Sequence, residues 1–152
     1  MNEIREVVLD GEIVKINPNL LCFNETNLNE FMENYSLNYD YYSSKLALAE
    51  NIMSNCELES ETEYMRKFAA FKSEGMSDKA ADSMSRIDND YLAKQKKLLD
   101  SKNNFKQLKE FVRALDKVHE MSQSRGHMLR KEMDKLRIDI NNSHQTLDDI
   151  LN

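Results

Sequence analysis

The sequence predicts a mainly all-α protein: a long helical hairpin with coiled-coil-like seams and a short N-terminal β-hairpin, completed by oligomerisation. Three observations predict it. Of the 152 residues, 32% are charged while three are Gly and one is Pro, the composition of long helices joined by few turns. Apolar residues recur at alternating steps of four and three along two extended stretches, the mark of helices that pair along one stripe. Near the start, one tight-turn pair, Asp10-Gly11, separates two β-branched runs.

In chain order, residues 6–16 read Glu-Val-Val-Leu-Asp-Gly-Glu-Ile-Val-Lys-Ile, a two-stranded hairpin signal. The stretch from Asn17-Pro18-Asn19 to Asn24 is turn chemistry, and Asn24 or Thr26 is placed to cap the next helix. Residues 1–24 therefore form an N-terminal hairpin and turn segment, and residues 25–152 a helical region. The first seam runs Leu28, Met32, Tyr35, Tyr39, Tyr42, Leu46, Ala49, Met53, Cys56 without a miss. The acidic run Glu57, Glu59, Glu61, Glu63 blurs it before Ser73-Glu74-Gly75 ends the segment.

Ser77 is a good N-cap, and a fixed four-three register from Met84 to Ile150 is apolar at fourteen of twenty positions. Lapses at His119, Ser122 and Gly126 cluster, which predicts a helix that loosens, kinks or ends near Ser124-Arg125-Gly126. Two such seams exceed what one hairpin of unequal arms can cover, so the sequence predicts a homo-oligomer.

Several function classes are excluded at this stage. No apolar stretch approaches a membrane span, and the opening residues lack a signal-peptide layout, so the expected location is cytoplasmic. Cys22 and Cys56 fit no paired spacing and are expected as thiols that are packing residues or bystanders. Gly11, Gly75 and Gly126 cannot build a phosphate-cradling loop. His119, His127 and His144 lack metal-binding spacing, and pairs such as Asp88 with Asp90 read as solvated helical faces. No catalytic residue, metal or cofactor is expected, and the chain is expected not to be an enzyme.

Charge is distributed unevenly. Residues 1–64 carry thirteen acids and three bases, whereas residues 94–137 carry thirteen bases and six acids. Lys102, Lys106, Lys109 and Arg113 step by four, three and four, a stripe on one helical face that suits a phosphate backbone. Arg125 and Arg130 extend the basic character. Arg66, Lys67, Phe71 and Lys72 mix bases with an aromatic, the combination used to hold single strands. The alternative is a coiled-coil flank whose Lys residues pair with Glu on a neighbouring helix, with Phe68 and Phe71 in the core.

The order of these features resembles the UvsY recombination mediators of T-even-type phages. An early helix with spaced tyrosines precedes a basic and aromatic cluster, a glycine turn and a distal helix. Ala114-Leu115-Asp116 followed by Ser124-Arg125-Gly126 and a basic tail is similar to the family's Ser/Asn-Arg-Gly segment. The family's DNA-binding motif has Lys and Arg one residue apart, then aromatics and Gly; here Arg66 and Lys67 are adjacent and Glu74 precedes Gly75. The resemblance, over roughly residues 20–137, implies single-stranded DNA binding and rings of six or seven subunits or open barrels. It also implies that the chain helps a RecA-type recombinase displace single-strand-binding protein. Without it, the residues fit a non-enzymatic coiled-coil scaffold or adaptor that binds no nucleic acid.

Overall fold

The computed structural model describes residues 3–151, with side chains described through residue 141. Strands β1 (Arg5–Leu9) and β2 (Glu12–Ile16) form the expected antiparallel hairpin, with Leu9 opposite Glu12. The two-residue loop between them holds Asp10 at φ 49° and Gly11 at φ 80°. That left-handed pair is what Asp-Gly is suited to, and its twist matches the flanking strands. A 3-10 turn (Pro18–Leu21) follows, capped by the Asn17 side chain, which accepts from the Asn19 N–H at 3.1 Å.

Helix α1 (Leu28–Ser73) is one unbroken run of 46 residues, about 69 Å long. Its start lies just past the two residues expected to cap it. Asn24 Oδ1 accepts from the N–H groups of Thr26 and Asn27, fixing the turn that leads in. Gly75, at φ 89°, ends α1, and its N–H bonds to the Lys72 carbonyl at 3.0 Å. Ser77 then caps the short α2 (Asp78–Ile87) as expected, its Oγ accepting from the Ala80 N–H. Helix α3 (Asn89–Leu151) runs antiparallel to α1 for 63 residues. The fold is therefore mainly α with a short N-terminal hairpin.

All nine positions of the first seam are buried or half-buried, and the register continues through the acidic run as Ser60, Glu63 and Lys67. Polar partners across the seam make that continuation stable: Gln95 donates to Ser60 Oγ and Lys94 meets Glu59 at 2.9 Å. The second seam starts later than expected. Asp88 is extended at ψ 135° and breaks the helix, so Met84 and Ile87 belong to α2 and stay exposed. Seam positions from Tyr91 to Leu129 are all buried or half-buried.

The expected kink near Gly126 is absent; α3 passes through it unbroken. The small residues there match bulk on α1 instead. Gly126 lies opposite Leu28, and His119 stacks on Tyr35 at 3.7 Å. Ser122 spends its hydroxyl on the His119 carbonyl at 2.7 Å.

The core is densest where the β-hairpin lies across both long helices. Val7, Leu9, Val14 and Ile16 pack there against Tyr42, Ala49, Leu108, Phe111 and Leu115. Each of the four hairpin side chains contributes on the order of 1.5–3 kcal/mol. Each strand also presents an outward carbonyl to a helix: Asn104 Nδ2 donates to Val8 O at 3.0 Å, and Tyr42 O–H to Lys15 O at 2.7 Å. Among the described residues, no helix is long and apolar enough to cross a membrane.

Candidate nucleic-acid interface

The sequence-predicted site residues fall into three groups that the fold keeps apart. The first is the elbow, where α1 ends and α2 and α3 begin. Arg66 meets Glu63 at 2.6 Å, and Lys72 meets Asp78 at 2.7 Å while also donating to the Met76 carbonyl. Lys67 reaches three carboxylates: Asp90 at 2.6 Å, Asp88 at 3.1 Å and Glu63 at 3.9 Å. Its side chain is only 18% exposed. Phe71 is half-buried.

Two of those carboxylates were expected on a solvated face. Asp88 instead caps α3, accepting from the N–H groups of Asp90 and Tyr91. Burial pushes its carboxyl up, but the bonds from Lys67 and from those N–H groups outweigh burial and hold it below the ordinary range. Hydrogen bonds to Asp90 and Asp88 correspondingly raise Lys67. The oxygens of Glu63, Asp88 and Asp90 lie within 4.8 Å of one another, a spacing that suits a cation. The Lys67 ammonium takes that role.

The second group is the stripe on the solvent face of α3, about 20–36 Å from the elbow along the helix. Lys102, its first member, meets Glu57 of α1 at 3.5 Å, which is the flank pairing of the alternative reading. Lys106, Lys109 and Arg113 are exposed and make no ion pair among the described residues. Lys109 Nζ rests 5.5 Å from the centre of the Phe105 ring. Lys117, which the sequence reading left out of the stripe, is exposed one turn beyond Arg113 and lines a shallow depression with it. The step of four from Arg113 to Lys117 was the signal available for it.

Local structure explains why this row stays open. Leu108, Phe111, Val112 and Leu115 turn inward from the same turns of α3, so a 3.6-residue repeat leaves the bases outside. On α1, Ser36 and Ser43 hold the heptad position that Glu50 and Glu57 fill further along.

The third group lies near and beyond the start of α1. Arg125 is held by Glu25, ahead of α1. Arg130 is exposed and without an ion pair among the described residues. Four bases without acid partners along about 16 Å of one straight helix can follow successive phosphates of a strand. Comparison of the chain with protein-family models, curated proteins and solved structures finds no match.

Proposed function

We propose that this chain binds single-stranded DNA through the exposed face of α3 and serves, without catalysing a reaction, as a cytoplasmic recombination mediator. In that role it helps a RecA-type recombinase replace single-strand-binding protein. The row Lys106, Lys109, Arg113 and Lys117 carries the reading, because these bases have no acid partner among the described residues. A phosphate chain is the anionic partner whose repeat suits a linear row of cations. The order of tyrosine helix, basic elbow and Arg-Gly segment, similar to the UvsY mediators, supports the recombination role.

Fluorescence anisotropy with labelled oligo-dT at two salt concentrations tests the binding. Affinity should fall steeply with salt and be insensitive to base sequence. Absence of binding at low salt removes the mediator reading. One observation favours a second reading, a helical scaffold: Arg66, Lys67, Lys72, Lys102 and Arg125 all face acids of their own chain. On that reading charge serves packing alone, and oligo-dT binding is absent while assembly persists.

A further inference from the structure

We infer that the overhanging end of α3 is a docking surface for a second copy of this chain, and that the two arms join in parallel and in register. This assigns a surface to the self-assembly expected above, with a dimer in place of the ring of six or seven subunits that the resemblance implies, and it stands whether or not the chain binds DNA. The arm begins where Gly126 faces Leu28, the first residue of α1. From there α3 continues to Leu151, about 37 Å further. In proteins most of a helix's stability comes from packing an amphipathic face.

The seam that α1 covers does not stop with α1. Met133, Leu136 and Ile140 continue it without a change of phase, and their exposures are 56%, 60% and 55%. The same stripe is therefore covered where α1 lies beside it and bare from Met133 to Ile140. Register assigns Met133 and Ile140 to heptad position a, and Leu129 and Leu136 to position d. Ile140 at a, following Leu136 at d, is the β-branched and Leu pattern that suits two parallel strands.

The flanking charges decide orientation. Glu132 stands at position g and Arg137 at position e. In a parallel, in-register pair, each g residue faces the e residue five positions on in the other copy. Glu132 then meets the second copy's Arg137, twice by symmetry. An antiparallel pair would set e against e, bringing Arg130 and Arg137 together. Arg130 itself faces position 125, where Arg125 is already engaged by Glu25 of its own chain.

Sedimentation velocity of the full chain, without DNA, should report a dimer at tens of micromolar. Leu136→Lys should yield a monomer. Glu132→Lys should weaken the dimer about tenfold, and adding Arg137→Glu should restore it to within about twofold. Leu136→Cys, in a Cys22→Ser, Cys56→Ala background, should cross-link two chains under mild oxidation, because d faces d only in the parallel pair. A monomeric wild type, a particle of more than two copies, a swap no tighter than the single reversal, or no cross-link at position 136 would overturn the proposal. Since none of these measurements contains DNA, failure of the DNA reading leaves them untouched, and their failure leaves that reading to the oligo-dT titration.

Discussion

The elbow carries Arg66, Lys67, Lys72 and, from α2, Arg86, and the stripe beyond Lys102 carries Lys106, Lys109, Arg113 and Lys117, yet the two sets differ in what their bases have left to offer. At the elbow, Arg66, Lys67, Lys72 and Arg86 each hold a carboxylate within 3.0 Å. On the stripe, Lys106, Lys109, Arg113 and Lys117 hold none among the described residues. A local count of Lys and Arg rates the two alike. The field each projects depends on acids contributed from other parts of the chain, and only the fold decides where those acids stand.

The sharpest way to break the comparison is to reverse charge on both sides. Lys106→Glu with Lys109→Glu should lower single-strand affinity about a hundredfold at low salt with helix content unchanged. Anisotropy and circular dichroism on one preparation check this. Arg66→Glu with Lys67→Glu should act oppositely. It places two more negative charges beside Glu63, Asp88 and Asp90, so thermal unfolding should fall by several degrees while oligo-dT affinity of the folded protein moves less than twofold. Equal affinity losses for the two pairs would erase the distinction.

Milder changes sharpen it. Lys106→Ala with Lys109→Ala should flatten the slope of log affinity against log salt by about 1.4, since each phosphate on a single strand contributes about 0.7. Pairing with Arg66 lowers Glu63, and the Lys94 bond lowers Glu59. Carboxyls lowered in the folded state give stability that is full at neutral pH. It fades as pH falls toward 4.5, the ordinary value of both glutamates, and is lost through their depressed folded values. Unfolding curves at falling pH should therefore show the junction near Glu59 and Glu63 loosening before the hairpin core, which owes its burial to apolar side chains. Cleavage by pepsin, which is active in this range, beside Phe68 against cleavage beside Leu9 would read the order.

The smallest effect expected is a gain. A Cβ on Gly126 would lie 3.9 Å from Leu28 Cδ2, ordinary contact distance. Gly126→Ala should therefore stabilise the protein by about 0.5–1 kcal/mol through helix propensity, measured by urea unfolding. A loss instead would mean that the helix needs its glycine there.

Much of the fold was legible because it rests on short-range rules. Asp10-Gly11 specifies its turn, Ser77 its cap, and the tyrosine seam its helix face. The misreadings share one cause, which is that a partner across the fold was invisible. Gly126 and His119 look like a break until Leu28 and Tyr35 stand opposite them. Asp88 looks solvated until Lys67 reaches it, and its capping of α3 is what turns the chain at Ile87. The site was legible as a set of bases with helical spacing. Which of those bases stay unpaired depends on contacts such as Glu57 with Lys102, 45 residues apart, which no local pattern encodes.

The strap that fastens the β-hairpin has a consequence for the order in which the molecule assembles. Asn104 bonds to Val8 across 96 residues, and Tyr42 to Lys15 across only 27. As the chain leaves the ribosome, β1 and β2 can close on their own turn and lean on α1. The apolar face of Val7, Leu9, Val14 and Ile16 cannot be sealed until Leu108 and Phe111 have emerged. Contacts this distant in sequence are slow to form. Until α3 has emerged the nascent protein thus carries an unsealed sticky patch, and the hairpin, though made before both long helices, is among the last of these elements to settle.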